Sequence, residues 1–219
     1  MAIYLMLAGC STESASTRMI SGVAFVGHAL TGLVTIKDAS SPTREKAAFI
    51  SKSGTFSLDV SDMKGPYILT AHGSIGRTDY LLYSFAEKPG IVNINPLTHL
   101  AVTAAAGADD PEQIYAHPEP VTLQKIKLNL PVVVNTIQTK LKPLFKLYDV
   151  DNADPIKDPF TFYGSGFDAL FDDMKFAFTN GDLAIVDAAT GSDIFRSKAA
   201  YINVGRFVKL PLRRPLPQS

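Results

Sequence analysis

The sequence holds one cysteine and no tryptophan in 219 residues, and it carries no net charge, with 21 Lys and Arg against 21 Asp and Glu. A single cysteine excludes an intramolecular disulfide framework and any zinc or iron–sulfur site built from several cysteines. The lack of a basic excess argues against a nucleic-acid partner. Hydrophobic residues make up 46% of the chain, which is enough to bury a core and excludes wholesale disorder.

Sequence motifs for catalysis and cofactor binding are also lacking. The chain has neither a P-loop nor the glycine pattern of a dinucleotide-binding turn, and Gly164-Ser165-Gly166 does not satisfy the nucleophile-elbow pattern. The histidines lack metal-ligand spacing, so we expect each to be a surface or half-buried side chain; they are His28, His72, His99 and His117. We therefore expect a protein that is not an enzyme and needs no cofactor.

Aspartates cluster in two segments of the second half. Asp149, Asp151 and Asp154 stand in an acidic run, an arrangement that suggests calcium. This loop lacks the central Gly and the final Glu of an EF-hand, so we expect no metal site and interpret it as a solvated loop whose side chains cap turns. A short predicted helix carries three more aspartates, which we interpret as its solvated face: Asp168, Asp172 and Asp173.

The single cysteine closes a short apolar run, Leu5-Met6-Leu7-Ala8-Gly9-Cys10, and a polar segment rich in Ser and Thr follows it. Leu-Ala-Gly-Cys resembles the lipobox of bacterial lipoproteins, in which the cysteine is diacylated and becomes the new N-terminus after cleavage. The resemblance implies that residues 1–10 are a lipoprotein signal, that Cys10 is the lipid attachment site and that residues 11–18 are a flexible tether. Ser11 resembles the residue that sorts lipoproteins to the outer membrane.

The segment before Cys10 departs from that pattern. Only nine residues precede the cysteine and none is Lys or Arg, whereas a secretory signal has a charged start and a longer apolar stretch. We expect a truncated signal, as a start codon assigned too late would produce; the alternative is an apolar first strand with a buried thiol. No other window reaches the ~18 apolar residues of a membrane span, so the expected membrane contact is the lipid anchor.

The first half, residues 19–95, has the pattern of short strands separated by Gly, Pro, Ser and Asp. Leu33 to Asp38 and Thr55 to Val60 alternate apolar and polar residues, so each should place one face in a core. About seven strands at this close spacing are typical of an antiparallel β-sandwich. The predicted strands span 20–25, 33–38, 47–51, 55–60, 67–71, 80–85 and 91–94.

Several turns and core positions of this half resemble the carboxypeptidase regulatory-like, transthyretin-like β-sandwich of bacterial envelope lipoproteins. The resemblance rests on 29–38, on Ser53-Gly54-Thr55-Phe56, on Gly65-Pro66-Tyr67 and on Val92-Asn93-Ile94-Asn95-Pro96. It implies a non-catalytic module that stabilises, spaces or presents neighbouring parts. It says little about activity, because one fold hosts many functions.

Residues 96–195 are predicted to form a helical region with a small β-hairpin, which makes the chain mixed α+β. Asn95 and Pro96 should begin a helix that ends at Gly107, and Asp110-Pro111 should begin a short one. Apolar residues at spacings of three and four predict helix from 122 to 148. We expect it to restart at Asn129 or Leu130, with Pro131 in the first turn, and to kink or break before Pro143. Ser165 should cap a helix over 166–174, and Asn180-Gly181 should turn a hairpin, with a third strand over 192–195.

The last segment, residues 196–219, holds six basic residues and no acidic one, so residues 1–195 carry a net charge of −6. A basic segment of this kind can contact anionic lipid or lipopolysaccharide. We favour the simpler interpretation of a poorly ordered terminus or a shifted reading frame.

Together these features predict a lipid-anchored protein of the bacterial cell envelope with a non-catalytic structural or binding role. The expected location is the outer membrane, facing the periplasm or the cell surface, with other envelope proteins or glycans as partners. One alternative is a carbohydrate-binding or adhesive module, for which Tyr80, Tyr83 and Phe85 could form an aromatic platform, although alternating aromatics are usually core. The other is an accessory part of a secreted hydrolase with a site between the two halves.

Overall fold

The computed structural model describes residues 18–160 and 164–210 and has mixed α and β structure with several antiparallel sheets. The strands of the first half are β1 (Met19–Val23), β2 (Phe25–Val26), β3 (His28–Ala29), β4 (Thr31–Asp38), β5 (Glu45–Phe49), β6 (Thr55–Asp59), β7 (Tyr67–Ile75), β8 (Thr78–Ala86) and β9 (Gly90–Ile91). The helices are α1 (Pro96–Ala106), α2 (Glu112–Ala116), α3 (Pro120–Phe145) and α4 (Phe167–Asp173). The second half also holds β10 (Met174–Thr179), β11 (Asp182–Asp187), β12 (Asp193–Lys198) and β13 (Arg206–Phe207).

One four-stranded sheet has the order β5–β4–β7–β8, and all its neighbouring strands are antiparallel. In β4 the alternate residues Val34 and Ile36 are buried, as the alternation of apolar and polar residues predicts. Residues 67–71 of β7 and 82–86 of β8 are buried on both faces. Leu69 lies in a core shared with another sheet, whereas Ile68 and Tyr83 pack under α1, α2 and α3.

A three-stranded sheet, β6–β1–β9, completes the first core. Ile20 and Leu58 of this sheet belong to the same buried cluster as Val34 and Leu69 of the four-stranded sheet. Strand β6 runs antiparallel to β1, but β9 pairs with β1 in parallel. The prediction of purely antiparallel pairing is therefore wrong at this pair. Strand β9 follows β8 of the other sheet, so no hairpin joins it to β1 and imposes an antiparallel direction.

The first half contains nine strands where the sequence predicts about seven. The predicted strand over 20–25 ends at Val23, and the short β2–β3 hairpin follows around Gly27, whose φ is 80°. A side chain at Gly27 would place its Cβ 2.3 Å from Oδ1 of Asp172, so both the backbone conformation and the close approach need glycine. Two strands of two residues each are too short for alternation to reveal.

Helix α1 begins and ends as predicted. The Asn95 side chain accepts hydrogen bonds from the N–H groups of Leu97 and Thr98 at 2.9 and 3.0 Å, and the Thr98 hydroxyl accepts one from the N–H of Asn95. This is a reciprocal capping box. Gly107 ends the helix in the left-handed conformation with φ 64°. The short predicted helix after Asp110-Pro111 is also present, as α2.

The predicted restart of the helix before Pro131 is wrong, and so is a break before Pro143, because α3 is one helix of 26 residues that includes both prolines. A 3₁₀ turn, Lys146–Tyr148, follows it. Leu123 lies in the cluster under α1 and α2, and Ile137 and Leu141 lie in a second core. Burial of these apolar side chains of α3 offsets the loss of the backbone hydrogen bond that Pro131 cannot donate. Pro131 itself lies on the exposed side of the helix.

The end of the chain forms a four-stranded antiparallel sheet, β10–β11–β12–β13. The predicted hairpin is confirmed, with Asn180 and Gly181 both at positive φ in its turn. Gly166, and not Ser165, occupies the cap position of α4, without a side-chain cap bond. The expectation of a poorly ordered segment from Arg196 is wrong for the residues that the structure describes: β12 runs through Lys198, and a 3₁₀ segment follows, Ala199–Val204.

The segment between β9 and α1 connects the two halves through buried polar groups. Asn93 accepts a hydrogen bond from the N–H of Val23 and donates one to the carbonyl of Asp158. Asn95 donates its side-chain N–H to the carbonyl of Pro155 at 2.8 Å. The exposed fractions of the two asparagines are 3% and 0%, so these bonds hold the loop after α3 against β1 without help from solvent.

Replacing Ile137 by Ala should destabilise the protein by about 2–5 kcal/mol, because the truncation leaves a cavity in the second core. Val132→Ala on the same helix is the matched control. Val132 is 68% exposed, so this substitution should change the protein's free energy of unfolding by less than about 0.5 kcal/mol. Urea titration of the wild type and both variants measures these changes in the free energy of unfolding, provided that the m-value is the same for all three. Equal losses would contradict the placement of α3.

Candidate functional site

Three side chains that can bind cations meet where the β2–β3 hairpin contacts α4. His28 comes from the hairpin, and Asp168 and Asp172 come from one face of the helix, four residues apart. One nitrogen or oxygen from each lies within 4.8 Å of the other two. Among the residues that the structure describes, this is the one group of three or more His, Cys, Asp or Glu side chains close enough to hold a metal ion.

Asp168 is held in place on the buried side of this group. Its side chain is only 4% exposed, and its Oδ2 accepts a hydrogen bond from the N–H of Gly164 at 2.6 Å. Its other oxygen, Oδ1, is also buried and has no hydrogen-bond partner within residues 18–160 and 164–210. An unpaired buried carboxylate oxygen is costly, because it has lost water without gaining a donor.

The other two side chains lie at the surface. The His28 imidazole Nδ1 is 3.6 Å from Oδ1 of Asp172, and the two side chains are 70% and 44% exposed. Burial raises the pKa of Asp168, while the Gly164 N–H and the His28 ring oppose that rise. Burial also raises the pKa of Asp172; His28 opposes it, and the charges of Asp168 and Asp173 add to it. One imidazole and two carboxylates form a ligand set that divalent metals use.

The structure does not bring the sequence-predicted acidic candidates together as a metal site. Asp154 accepts a hydrogen bond from the N–H of Ile156, and its own N–H donates to Asp158, each at 2.8 Å. The predicted role in capping turns is confirmed for this residue. Asp149 and Asp151 lie in the same loop, on exposed and half-exposed positions. The lipid attachment candidate, Cys10, lies outside the described residues.

The sequence prediction is wrong for one residue of this region, and it gives no indication that His28 joins the group. The interpretation of Asp168 as part of a solvated helix face is wrong, because α4 buries it with Phe167, Leu170 and Phe171. The four-residue spacing of Asp168 and Asp172 was the available signal. No local pattern could have indicated His28, which reaches them from 140 positions away in the sequence.

The prediction that every histidine is a surface or half-buried side chain is wrong for His99, which is buried. It lies on α1 between the ring of Tyr83, at a centroid distance of 5.5 Å, and the ring of Phe178, at 4.2 Å. Burial lowers its pKa to about 4, against the opposing effects of Asp110 and the Leu81 carbonyl. The signal was present in the sequence: α1 is apolar almost all round, which is typical of a helix covered on every side.

The junction between the two halves is filled with apolar side chains. Phe25 of the hairpin shares one buried cluster with Ile137 and Leu141 of α3, and Val134 packs against it. A groove of about 510 Å³ lies beside this junction, between residues 85–92 and α3. The two acidic side chains among its lining residues are both engaged: Glu87 pairs with Lys127 at 2.9 Å, and Asp154 caps the turn described above.

Tyr83 and Phe85 are each only 2% exposed, and Tyr80 is half-buried against the first core. These aromatics are therefore core residues and do not form a sugar platform.

Among the described residues, no helix combines the length and apolar character needed to cross a membrane. A comparison of the chain with protein-family models, curated proteins and solved structures finds no match.

The buried His99 should make the protein less stable in acid. Between pH 6.5 and about 4 the unfolded chain binds a proton on this ring that the folded chain does not, so stability is full above pH 6.5 and falls as the pH drops. The loss should be on the order of 3 kcal/mol. Urea titrations of the wild type and of His99→Gln between pH 7.5 and 4 measure it.

The variant should lack this part of the acid sensitivity, whereas His72→Gln, at an exposed position on β7, should retain it. Parallel stability curves for the wild type and His99→Gln would contradict a neutral buried imidazole.

Proposed function

We propose that the chain is a lipid-anchored protein of the bacterial cell envelope, with a non-catalytic structural or binding role. The observation that carries this proposal is the sequence Leu7-Ala8-Gly9-Cys10 followed by eight mostly polar residues before the first strand begins at Met19. A tether of this length lets a folded body stand free of the membrane to which its N-terminus is attached. The outer membrane is the proposed location, with Ser11 as the sorting residue.

The first half is proposed to be a transthyretin-like β-sandwich. Two sheets, β5–β4–β7–β8 and β6–β1–β9, contribute apolar side chains to one core, and this shared core supports the proposal of a sandwich. The turns at Ser53-Gly54 and Gly65-Pro66 precede β6 and β7, the strands they are expected to open. Sandwiches of this kind stabilise or present the parts attached to them, which fits a non-catalytic module.

The packing between the halves supports a structural role over the hydrolase alternative. A site between the halves would need a polar cleft with converging acids or histidines. Ile137 and Leu141, which belong to the same buried cluster as the hairpin residue Phe25, are instead 1% and 0% exposed. The adjacent groove is lined by acids that already have partners. His28, Asp168 and Asp172 do converge between the halves, but His28 and Asp172 lie at the surface, at the edge of the apolar junction. The apolar filling of the junction itself supports a role in holding two parts together.

The carbohydrate-binding alternative has less support from the exposed face of the four-stranded sheet. A row of residues in register crosses it from Phe49 through Leu33 and His72 to Leu81. Phe49 is 83% exposed, but it is the one Phe, Tyr or Trp in the row, whereas stacking of sugars uses several such rings. We expect no hits for the purified full chain on a glycan array, and reproducible hits lost in Phe49→Ala would favour the alternative.

Cells that express the full-length precursor should incorporate an alkyne fatty-acid analogue into this protein. The expected label depends on Cys10, because its thiol is the proposed acyl acceptor. Cys10→Ser should abolish the label and release the protein from the membrane fraction, while Ser11→Ala, a change at the next residue, should keep the label. Labelling is read by gel fluorescence after coupling to a dye.

The anchoring proposal fails if the wild type takes up no label or if the label survives Cys10→Ser. Ser11→Ala retains the thiol and should still be labelled. If it is, the loss of label in Cys10→Ser results from the missing acyl acceptor and not from a general failure of export.

A further inference from the structure

The His28, Asp168 and Asp172 cluster has a feature that a plain surface ion pair does not need. Asp168 is more than nine-tenths buried and offers a carboxylate oxygen with no hydrogen-bond partner among the described residues. One oxygen of this carboxylate lies within 4.8 Å of a His28 nitrogen and of an Asp172 oxygen. A cation in the middle of the group would supply the missing partner and offset the cost of burying this carboxylate.

The distances suit a metal ion. Ligand atoms at 2.0–2.1 Å from a tetrahedral zinc ion are separated from one another by about 3.3 Å. The His28 Nδ1 and Asp172 Oδ1 are already 3.6 Å apart. The other separations are at most 4.8 Å, and each joins Asp168 to an exposed side chain, His28 or Asp172, that can rotate toward it. Asp168 needs no movement, because the Gly164 N–H and the helix hold it.

The backbone around the group supports close approach of hairpin and helix. Gly27 precedes His28, and a Cβ at Gly27 would lie 3.1 Å from the backbone nitrogen of Asp172 as well as against its carboxylate. The absence of a side chain therefore lets His28 reach the helix face that carries both aspartates. On the other face of α4, Leu170 and Phe171 are buried in the second core, which fixes the direction in which the aspartates point.

We propose that His28, Asp168 and Asp172 form a binding site for a divalent transition-metal ion of the zinc class. The imidazole nitrogen favours zinc, cobalt or nickel over calcium and magnesium, which prefer oxygen ligands alone. Three protein ligands leave at least one coordination position, and the exposure of His28 and Asp172 opens it to water. The bound ion joins the β2–β3 hairpin of the first half to α4 of the second.

The test uses the full chain without an affinity tag, in the Cys10→Ser background so that the thiol cannot bind metal. Zinc chloride at about 100 times its dissociation constant should raise the thermal midpoint by about 5–10 °C, and calcium chloride should not. Cobalt(II) should give a visible absorption band. Isothermal titration with zinc should show one site per chain.

His28→Gln and Asp168→Asn should each weaken zinc binding by at least ~10- to 100-fold. That is the loss typical when a residue that only hydrogen-bonds to a metal ligand is replaced. His28 is at the surface, so His28→Gln decides the matter even if Asp168→Asn fails to fold. The matched controls, His72→Gln and Asp149→Asn, should bind zinc like the parent chain. The proposal is overturned if the parent shows no zinc-dependent shift, or if His28→Gln keeps the affinity and the cobalt band.

Discussion

The fold depends on a short buried segment in which two asparagines satisfy the backbone of three different elements. Asn93 accepts from Val23 in β1 and donates to Asp158, while Asn95 caps α1 and donates to Pro155. Between them, Ile94 exchanges backbone hydrogen bonds with Val23 and Phe25. Breaking one such bond leaves a buried partner unsatisfied, at a cost of about 1–3 kcal/mol. The strand, the helix and the loop after α3 are therefore fixed relative to one another.

This constraint explains why the junction holds two parts together and does not form a cleft. With α1 fixed at its first residue, its buried side chains pack on the four-stranded sheet on one side and on α3 on the other. Phe25, which follows β1, lies in the core of the second half, and His28, three residues later, lies beside the aspartates of α4. The same geometry that fills the junction with apolar side chains thus brings one imidazole to two carboxylates at its edge. The proposed bridging cation would strengthen this connection, as the proposed structural or binding role requires.

Elements whose ends are set by local chemistry could be predicted from the sequence. Asn95 and Gly107 bound α1 because a side-chain cap and a left-handed glycine act over a few residues. The unbroken α3 could not be predicted, since burial along its length outweighs the local effect of Pro131. The candidate metal site joins His28 to Asp168 through the tertiary structure, so no spacing in the sequence contains it. Strand pairing across the first core, including the parallel pair, is non-local for the same reason.

Native-state hydrogen exchange in low urea tests the central claim that the Asn93–Asn95 segment couples the two halves. The account predicts that the most protected amides of β7 and of β11 exchange with one common free energy of opening. It also predicts that Asn95→Ala lowers both by the same amount, because the halves unfold together. The account is contradicted if the β11 amides open at a lower free energy of their own, or if Asn95→Ala changes one set and leaves the other unaltered.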